Sequence, residues 1–240
     1  EMGVVRQIVP FAQWRDYAPR VTKDMDLLTS MEMIASPDAQ GKLNDVLSQQ
    51  AWNPSERHAR WQFVREEKDG TTSKLEFHAQ QQEPLPSGIR HSSPRIKPKP
   101  PLHLGIHGHE NPEAVVCHLN SFRFCFDGIE IAVPNPITMS IMKVTAAHDQ
   151  RTESVVPGLS PRDRNFHDLQ ARKHAQDVFR SVAMTTREES DSIKTVLEAV
   201  RQTFVWQNAS TIVRDLFFEP NAFGIGAVES FWEPSALGVM

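Results

Sequence analysis

The chain carries only two cysteines, Cys117 and Cys125, among 240 residues. Two thiols make no disulfide framework, so a reducing, cytoplasmic setting is expected. No apolar run approaches the roughly 18 residues needed to span a bilayer, so no membrane partner is expected. The first residues, Glu1-Met2-Gly3-Val4-Val5-Arg6, lack the charged n-region and apolar h-region of a secretory leader. Positive charge is not in excess: Lys and Arg total 26 against 30 Asp and Glu, a net charge of -4. That excludes a strongly basic field for non-specific nucleic-acid binding, although a local basic groove stays open. No internal repeat is visible.

What is present is ordinary for a globular protein: 39% hydrophobic and 23% charged residues. The length suits one large domain or two small ones. Residues 4–9 read as a strand or a helix start. Asp24-Met25-Asp26-Leu27-Leu28 reads as a short strand that carries acids on one face and is anchored in the core by its leucines. Ala39, Leu43, Val46 and Leu47 recur at helical spacing. Arg60–Val64 and Lys74–His78 each alternate with period two around Asp69-Gly70, a hairpin signal. Residues 80–114 form a Pro-rich insertion, predicted to be an extended excursion of polyproline II character. Residues 122–126 and 129–133 alternate around Asp127-Gly128, which predicts a second hairpin.

From residue 136 the periodicity turns helical. Pro136 stands near a helix start, and Ile137, Ile141, Val144 and Ala147 share one face. A further helix over 168–184 is predicted to turn Leu169, Ala175, Val178, Phe179 and Val182 inward. Thr186 and Glu189 fit a capping box before a helix carrying Ile193, Val196, Leu197 and Val200. The expectation is an α/β domain over 1–134, with its insertion at 80–114, followed by a mostly helical domain over 135–240.

The chemistry concentrates in Arg20-Val21-Thr22-Lys23-Asp24-Met25-Asp26-Leu27-Leu28. On a strand, residues i and i+2 point to the same face, so Asp24 and Asp26 project side by side. Paired carboxylates suit a hard divalent cation that also binds substrate phosphates. Glu76 becomes a third carboxylate if its strand neighbours that of Asp24 and Asp26; by itself it reads as a solvent-facing strand residue.

These residues resemble the R-x-T-x-D-[IVLM]-D-[IL]-L signature of minimal nucleotidyltransferase-fold proteins, including the AbiEii and MenT-like toxins of type IV toxin–antitoxin systems. Two later segments are similar to helices of that family: Pro134-Asn135-Pro136 through Lys143 to Arg151, and Arg172-Lys173-His174 through Asp177 to Arg180. The resemblance implies a nucleotidyltransferase-like mixed sheet with helices. It implies that Asp24 and Asp26 hold Mg²⁺ or Mn²⁺, with Glu76 as the third metal carboxylate, and that Lys143 and Asp177 join them in catalysis. Arg20, Thr22, Lys143 and Arg151 would contact the nucleotide. The reaction implied is transfer of a nucleoside monophosphate from an NTP to an RNA, protein or small-molecule acceptor, with an antitoxin-like protein as a partner.

The chain departs from the family where a Gly-[Gly/Ser] helix start would cradle phosphates. Val9-Pro10 stands there, and proline has no N–H to offer. Glu76 also replaces the usual Asp. Both departures favour an alternative, a nucleotidyltransferase-fold binding module that has lost catalysis. Read without the resemblance, Lys143 is a snorkelling surface lysine, Asp177 a helix-face ion-pair member and Arg151 a helix C-terminal cap. His103, His107 and His109, with Cys117-His118 nearby, raise a zinc hypothesis, but no characteristic zinc spacing accompanies them. Arg90, Arg95, Lys97 and Lys99, interleaved with prolines, suit a phosphate backbone or a solvated loop. The aromatic stretch from Phe217 to Trp232 reads as a tail packing back on the body.

Overall fold

The computed structural model describes residues 23–80, 84–103, 105–126, 128–183 and 185–230. The fold is mixed α/β, with helices dominant towards the C-terminus. The chain divides into two compact units, with the break between Pro112 and Glu113.

In the first unit the described elements are β1 (Asp24–Leu28), α1 (Met31–Ala35), α2 (Pro37–Gln49), β2 (Asn53–Pro54), β3 (Gln62–Glu66), β4 (Thr72–Ala79), β5 (Ile89–Ser92), β6 (Arg95–Pro98) and β7 (Gly108–Glu110). The strands form one mixed sheet in the order β2-β3-β4-β7-β6-β5, and β1 adds to β4. β1 and β7 run parallel to β4, while the other pairs are antiparallel. Ser30 and Ser36 start the two helices by accepting from the Met33 and Ala39 amides, and Pro37 fills a first-turn position that needs no N–H. Gly70 takes a positive φ of 75° in the β3–β4 turn, as the Asp-Gly signal requires.

Alternation divides the sheet into two chemically distinct faces. Phe63, Leu75, Phe77, Ala79, Ile89 and Ile96 point to one of them and are buried. They pack with Leu47, Met31 and Ile34 of α1 and α2 in two apolar clusters. Phe63 and Phe77 meet edge to face at 5.7 Å, worth about 1 kcal/mol beyond the area they bury. The opposite face receives Asp24, Asp26, Gln62, Lys74, Glu76, His78, Arg95, Lys97 and His109 by register.

Two sequence expectations are corrected here. The segment 80–114 is no extended excursion: it supplies β5, β6 and β7, and buries Ile89, Ile96 and Ile106. Its prolines sit where pairing tolerates them, Pro94 between β5 and β6 and Pro98 at the end of β6. Leu27 and Leu28 do not anchor β1 in the core; they are 46% and 42% exposed. Among the described residues β1 pairs only with β4, and Met25 is its contribution to the apolar cluster.

The second unit contains a hairpin of β8 (Phe122–Phe126) and β9 (Ile129–Val133), then α3 (Pro136–Ser154), α4 (Pro161–Ala183), α5 (Arg187–Val200), α6 (Phe204–Phe217) and α7 (Phe223–Glu229). The hairpin expected from Asp127-Gly128 thus stands on the helical side of the division, while the sequence reading drew its boundary after residue 134. Asn135 caps α3 by accepting from Thr138, and the Thr186–Glu189 capping box at α5 is complete. The core joins Ile141, Val144 and Ala147 to Ala175, Val178, Val200, Ile212 and Leu216. The inward face of α4 matches the expected one at Ala175 and Val178 but differs elsewhere: Leu169, Phe179 and Val182 are exposed, and Ala171 and Ser181 are buried instead. Small side chains let a neighbouring helix approach closely, and this displaces the larger apolar residues outward. Phe217 and Phe223 pack on this core, whereas Phe218 is 77% exposed, and Phe231 and Trp232 of the expected tail lie outside the described residues.

Candidate metal centre

Pairing of β1 with β4 is what assembles the site. Asp26 stands directly beside Glu76, and the next step up places His78 beside Leu28. Glu76 is also flanked by Gln62 of β3, whose amide donates to Glu76 Oε1 at 2.5 Å. His78 Nε2 lies 3.5 Å from Asp26 Oδ1 and 3.6 Å from Glu76 Oε2, within ion-pair range but long for a hydrogen bond. Neither buried ring nitrogen of His78 has a hydrogen-bond partner among the described residues. Ligand-type atoms of Asp26, Glu76 and His78 all fall within 4.8 Å of one another, and no ion is present.

The electrostatics follow from this geometry. Burial alone would push the His78 pKa down, but the Asp26 and Glu76 carboxylates outweigh it and raise the imidazole to about 9. His78 in turn holds Glu76 below the usual carboxylate range against the opposing effect of burial, and Gln62 helps. His109, beside His78 in the β4–β7 pair, is pushed down by burial and then by the His78 charge. Trp61 stacks at 4.5 Å from His109 and 4.8 Å from His58, and stands edge-on to His78. The site is therefore an acid–histidine group walled on one side by rings.

Its donor set fits a divalent cation. Two carboxylates and an imidazole whose nitrogens have no other partner are the oxygen and nitrogen donors of Mn²⁺ or Zn²⁺ sites, and softer than the all-oxygen set Mg²⁺ prefers. Ligands around a bound ion are roughly 3 to 4 Å apart, so small side-chain rotations would close the present spacing.

Asp24 lies one alternation below Asp26, opposite Lys74, and its carboxylate is not among the three converging groups. Arg20, Thr22 and the Val9-Pro10 departure lie outside the described residues. Lys143, Arg151 and Asp177 belong to the second unit. Lys143 is partly buried on α3. Arg151 pairs with Asp168 at 3.3 Å and lies over the Phe223 ring. Asp177 is 2% exposed and pairs with Arg180 at 2.9 Å. His103, His107 and His109 do not gather as a metal-ligand group among the described residues, and Cys117 and His118 belong to the second unit.

No family model, curated protein or solved structure matches this chain.

Sequence reasoning passed over His78 and Gln62. The signal for His78 was in hand: the alternation that puts Glu76 on one face of Lys74–His78 puts His78 on that face too. Gln62 follows only from the cross-strand register, which no single strand reveals.

Proposed function

We propose that the polar face of the first unit is a divalent-metal centre for nucleotidyl transfer from an NTP to an acceptor hydroxyl. The observation that carries this is the convergence of Asp26, Glu76 and His78 through the β1–β4 register. The resemblance of residues 20–28 to nucleotidyltransferase-fold proteins supports the same reading and points to an RNA or protein acceptor. It also brings in an antitoxin-like partner and a cytoplasmic setting. No helix among the described residues is long and apolar enough to cross a membrane.

Asp26, Glu76 and His78 would hold the ion, and Mn²⁺ suits them better than Mg²⁺ because of the imidazole. A bound ion would neutralise charge on the reacting phosphates. The protein's own contributions are positional. Gln62 holds the Glu76 carboxylate in one orientation. Asp24 is exposed one step along β1 from Asp26. Trp61 and His109 form a wall of rings on one side of the site. Transfer at phosphorus asks little covalent chemistry of a protein beyond such positioning and charge neutralisation.

Incubation with an NTP labelled at the α-phosphate, Mn²⁺ and a mixed RNA and protein extract tests this reading. Label should pass to an acceptor with wild-type protein and not with Asp26→Asn. Absence of transfer to any acceptor, with Mn²⁺-dependent NTP binding intact, selects the second reading: a nucleotide-binding module without turnover. That reading is favoured by the position of Asp24 outside the converging group.

A further inference from the structure

A second cluster of charge occupies the same face of the same sheet. Register places Arg95 beside His109, and Lys97 lies two residues further along β6, about 7 Å away. Arg90 of β5 stands directly opposite Lys97. Like charges facing each other across a strand pair are destabilising. The usual remedy is an intervening carboxylate, yet Arg90, Arg95 and Lys97 form no ion pair with any described residue. The single acidic residue of β7, Glu110, is turned to the opposite face, where it pairs with His91. Arg60 adds a fourth cation: its carbonyl accepts from the His107 amide at 2.8 Å, and its guanidinium is held by the His103 carbonyl. The concentration of charge is felt by His107 between them, which burial and then Lys97, Arg60, Arg95 and Arg90 push down to about 4. A chain of net charge -4 thus keeps a local cationic patch that no described residue neutralises by an ion pair.

We infer that this patch binds the phosphodiester backbone of a single-stranded polynucleotide, leading it across the sheet to the Asp26–Glu76–His78 centre. The extent of the face argues for a polymer. From Arg90 on β5 to Asp26 on β1 the path crosses β6, β7 and β4, about 19 Å at ordinary strand spacing, which one nucleotide's phosphates do not span. Between the cations and the acids register places His109, with Trp61 against it and His58 against Trp61, rings of the kind on which unpaired bases stack without sequence preference. The strand's role as acceptor rests on the metal-centre reading. Its binding does not, and is measured without metal.

The test is fluorescence anisotropy of a labelled single strand of about 12 nucleotides, as RNA and as DNA, with the full chain in chelator-treated buffer. Binding should weaken with salt. The Arg90→Gln/Arg95→Gln/Lys97→Gln variant should bind on the order of 100-fold more weakly near 50 mM salt, with a salt slope smaller by about 2. Its thermal midpoint should equal or exceed that of the wild type, because the like-charge pair is gone. Asp26→Asn removes a carboxylate from the end of the path, so it should lose Mn²⁺ binding yet bind the strand no more weakly than wild type, and failure of the metal centre and failure of this inference are separable. A preference between RNA and DNA would name the sugar recognised. No binding of either strand by the wild type, tighter binding of a duplex, or equal affinity and salt slope in the triple variant would overturn the inference.

Discussion

Replacing Gln40 with leucine isolates the contact that positions the segment that carries His107 and leads into β7, where His109 lies. Gln40 on α2 is 2% exposed, and its side chain closes a small network. Nε2 donates to the Ile106 carbonyl at 3.0 Å and to the Ile34 carbonyl at 3.2 Å, and Oε1 accepts from the Ile106 amide at 2.7 Å. Leucine fills a similar volume and satisfies none of them. The Ile106 amide and carbonyl, in a residue 1% exposed, would lose these partners. A buried unsatisfied group costs about 1 to 3 kcal/mol, so the substitution should destabilise the first unit by about 3 kcal/mol after allowing for partial relaxation. For a unit of this size that is a fall of roughly 12 to 24 °C in its melting temperature. Urea unfolding followed by tryptophan fluorescence reads it, since Trp52 and Trp61 report on this unit. Gln49→Leu is the control: the same chemistry on an exposed position of α2 should shift stability by less than about 0.5 kcal/mol. Equal midpoints for Gln40→Leu and Gln49→Leu would refute the reasoning.

Gly108→Ala should destabilise by about 1 to 3 kcal/mol, because its new Cβ would lie 2.4 Å from Ala79 Cβ, whereas Gly41→Ala, with open space around it on α2, should stabilise by about 0.5 to 1 kcal/mol; thermal melts separate the two. In metal-free protein His78, raised to about 9, stabilises the fold fully below pH 6.5 and loses that contribution as pH rises through 9. The shift bounds the effect at about 3 kcal/mol, and exposure of Asp26 reduces it, so the stability gap between wild type and His78→Gln should shrink from pH 6.5 to 9.5 in urea titrations. A gap that widens with pH would reverse the sign of the argument. Thr186→Ala should cost about 1 kcal/mol through loss of the α5 capping box, seen as a lowered melting temperature, and Thr186→Ser should recover most of it.

The elements with local signals were legible before the fold was known. Asp69-Gly70 and Asp127-Gly128 announced their hairpins, Pro136 its helix start and Thr186 with Glu189 its cap, because each is decided within a few residues. The strand character of 89–98 was not legible, since frequent prolines masked two short runs whose pairing is decided by β7 and by the apolar cluster under Ile89 and Ile96. Leu27, Leu28, Leu169 and Val182 misled for a related reason: apolar character predicts burial only when a neighbour covers that position, and the neighbours are set by tertiary packing. At the site, Asp24 and Asp26 could be paired from alternation, and Glu76 was conditional on strand adjacency, which the β1–β4 register supplies. That register also draws His78 in and leaves Asp24 one step outside.

The most direct test is titration of chelator-treated full chain with Mn²⁺, followed by loss of the free-ion paramagnetic resonance signal, at several pH values between 6.5 and 9. Wild-type protein should bind a single ion, and affinity should rise by up to about tenfold per pH unit as His78 gives up its proton to become a ligand. Asp26→Asn, Glu76→Gln and His78→Gln should each weaken binding by about 100-fold or more, and Gln62→Leu by about 10- to 100-fold through release of Glu76. Wild-type protein that leaves millimolar Mn²⁺ free at every pH, or variants that bind as it does, would mean that Asp26, Glu76 and His78 are a structural ion-pair group and not a metal centre.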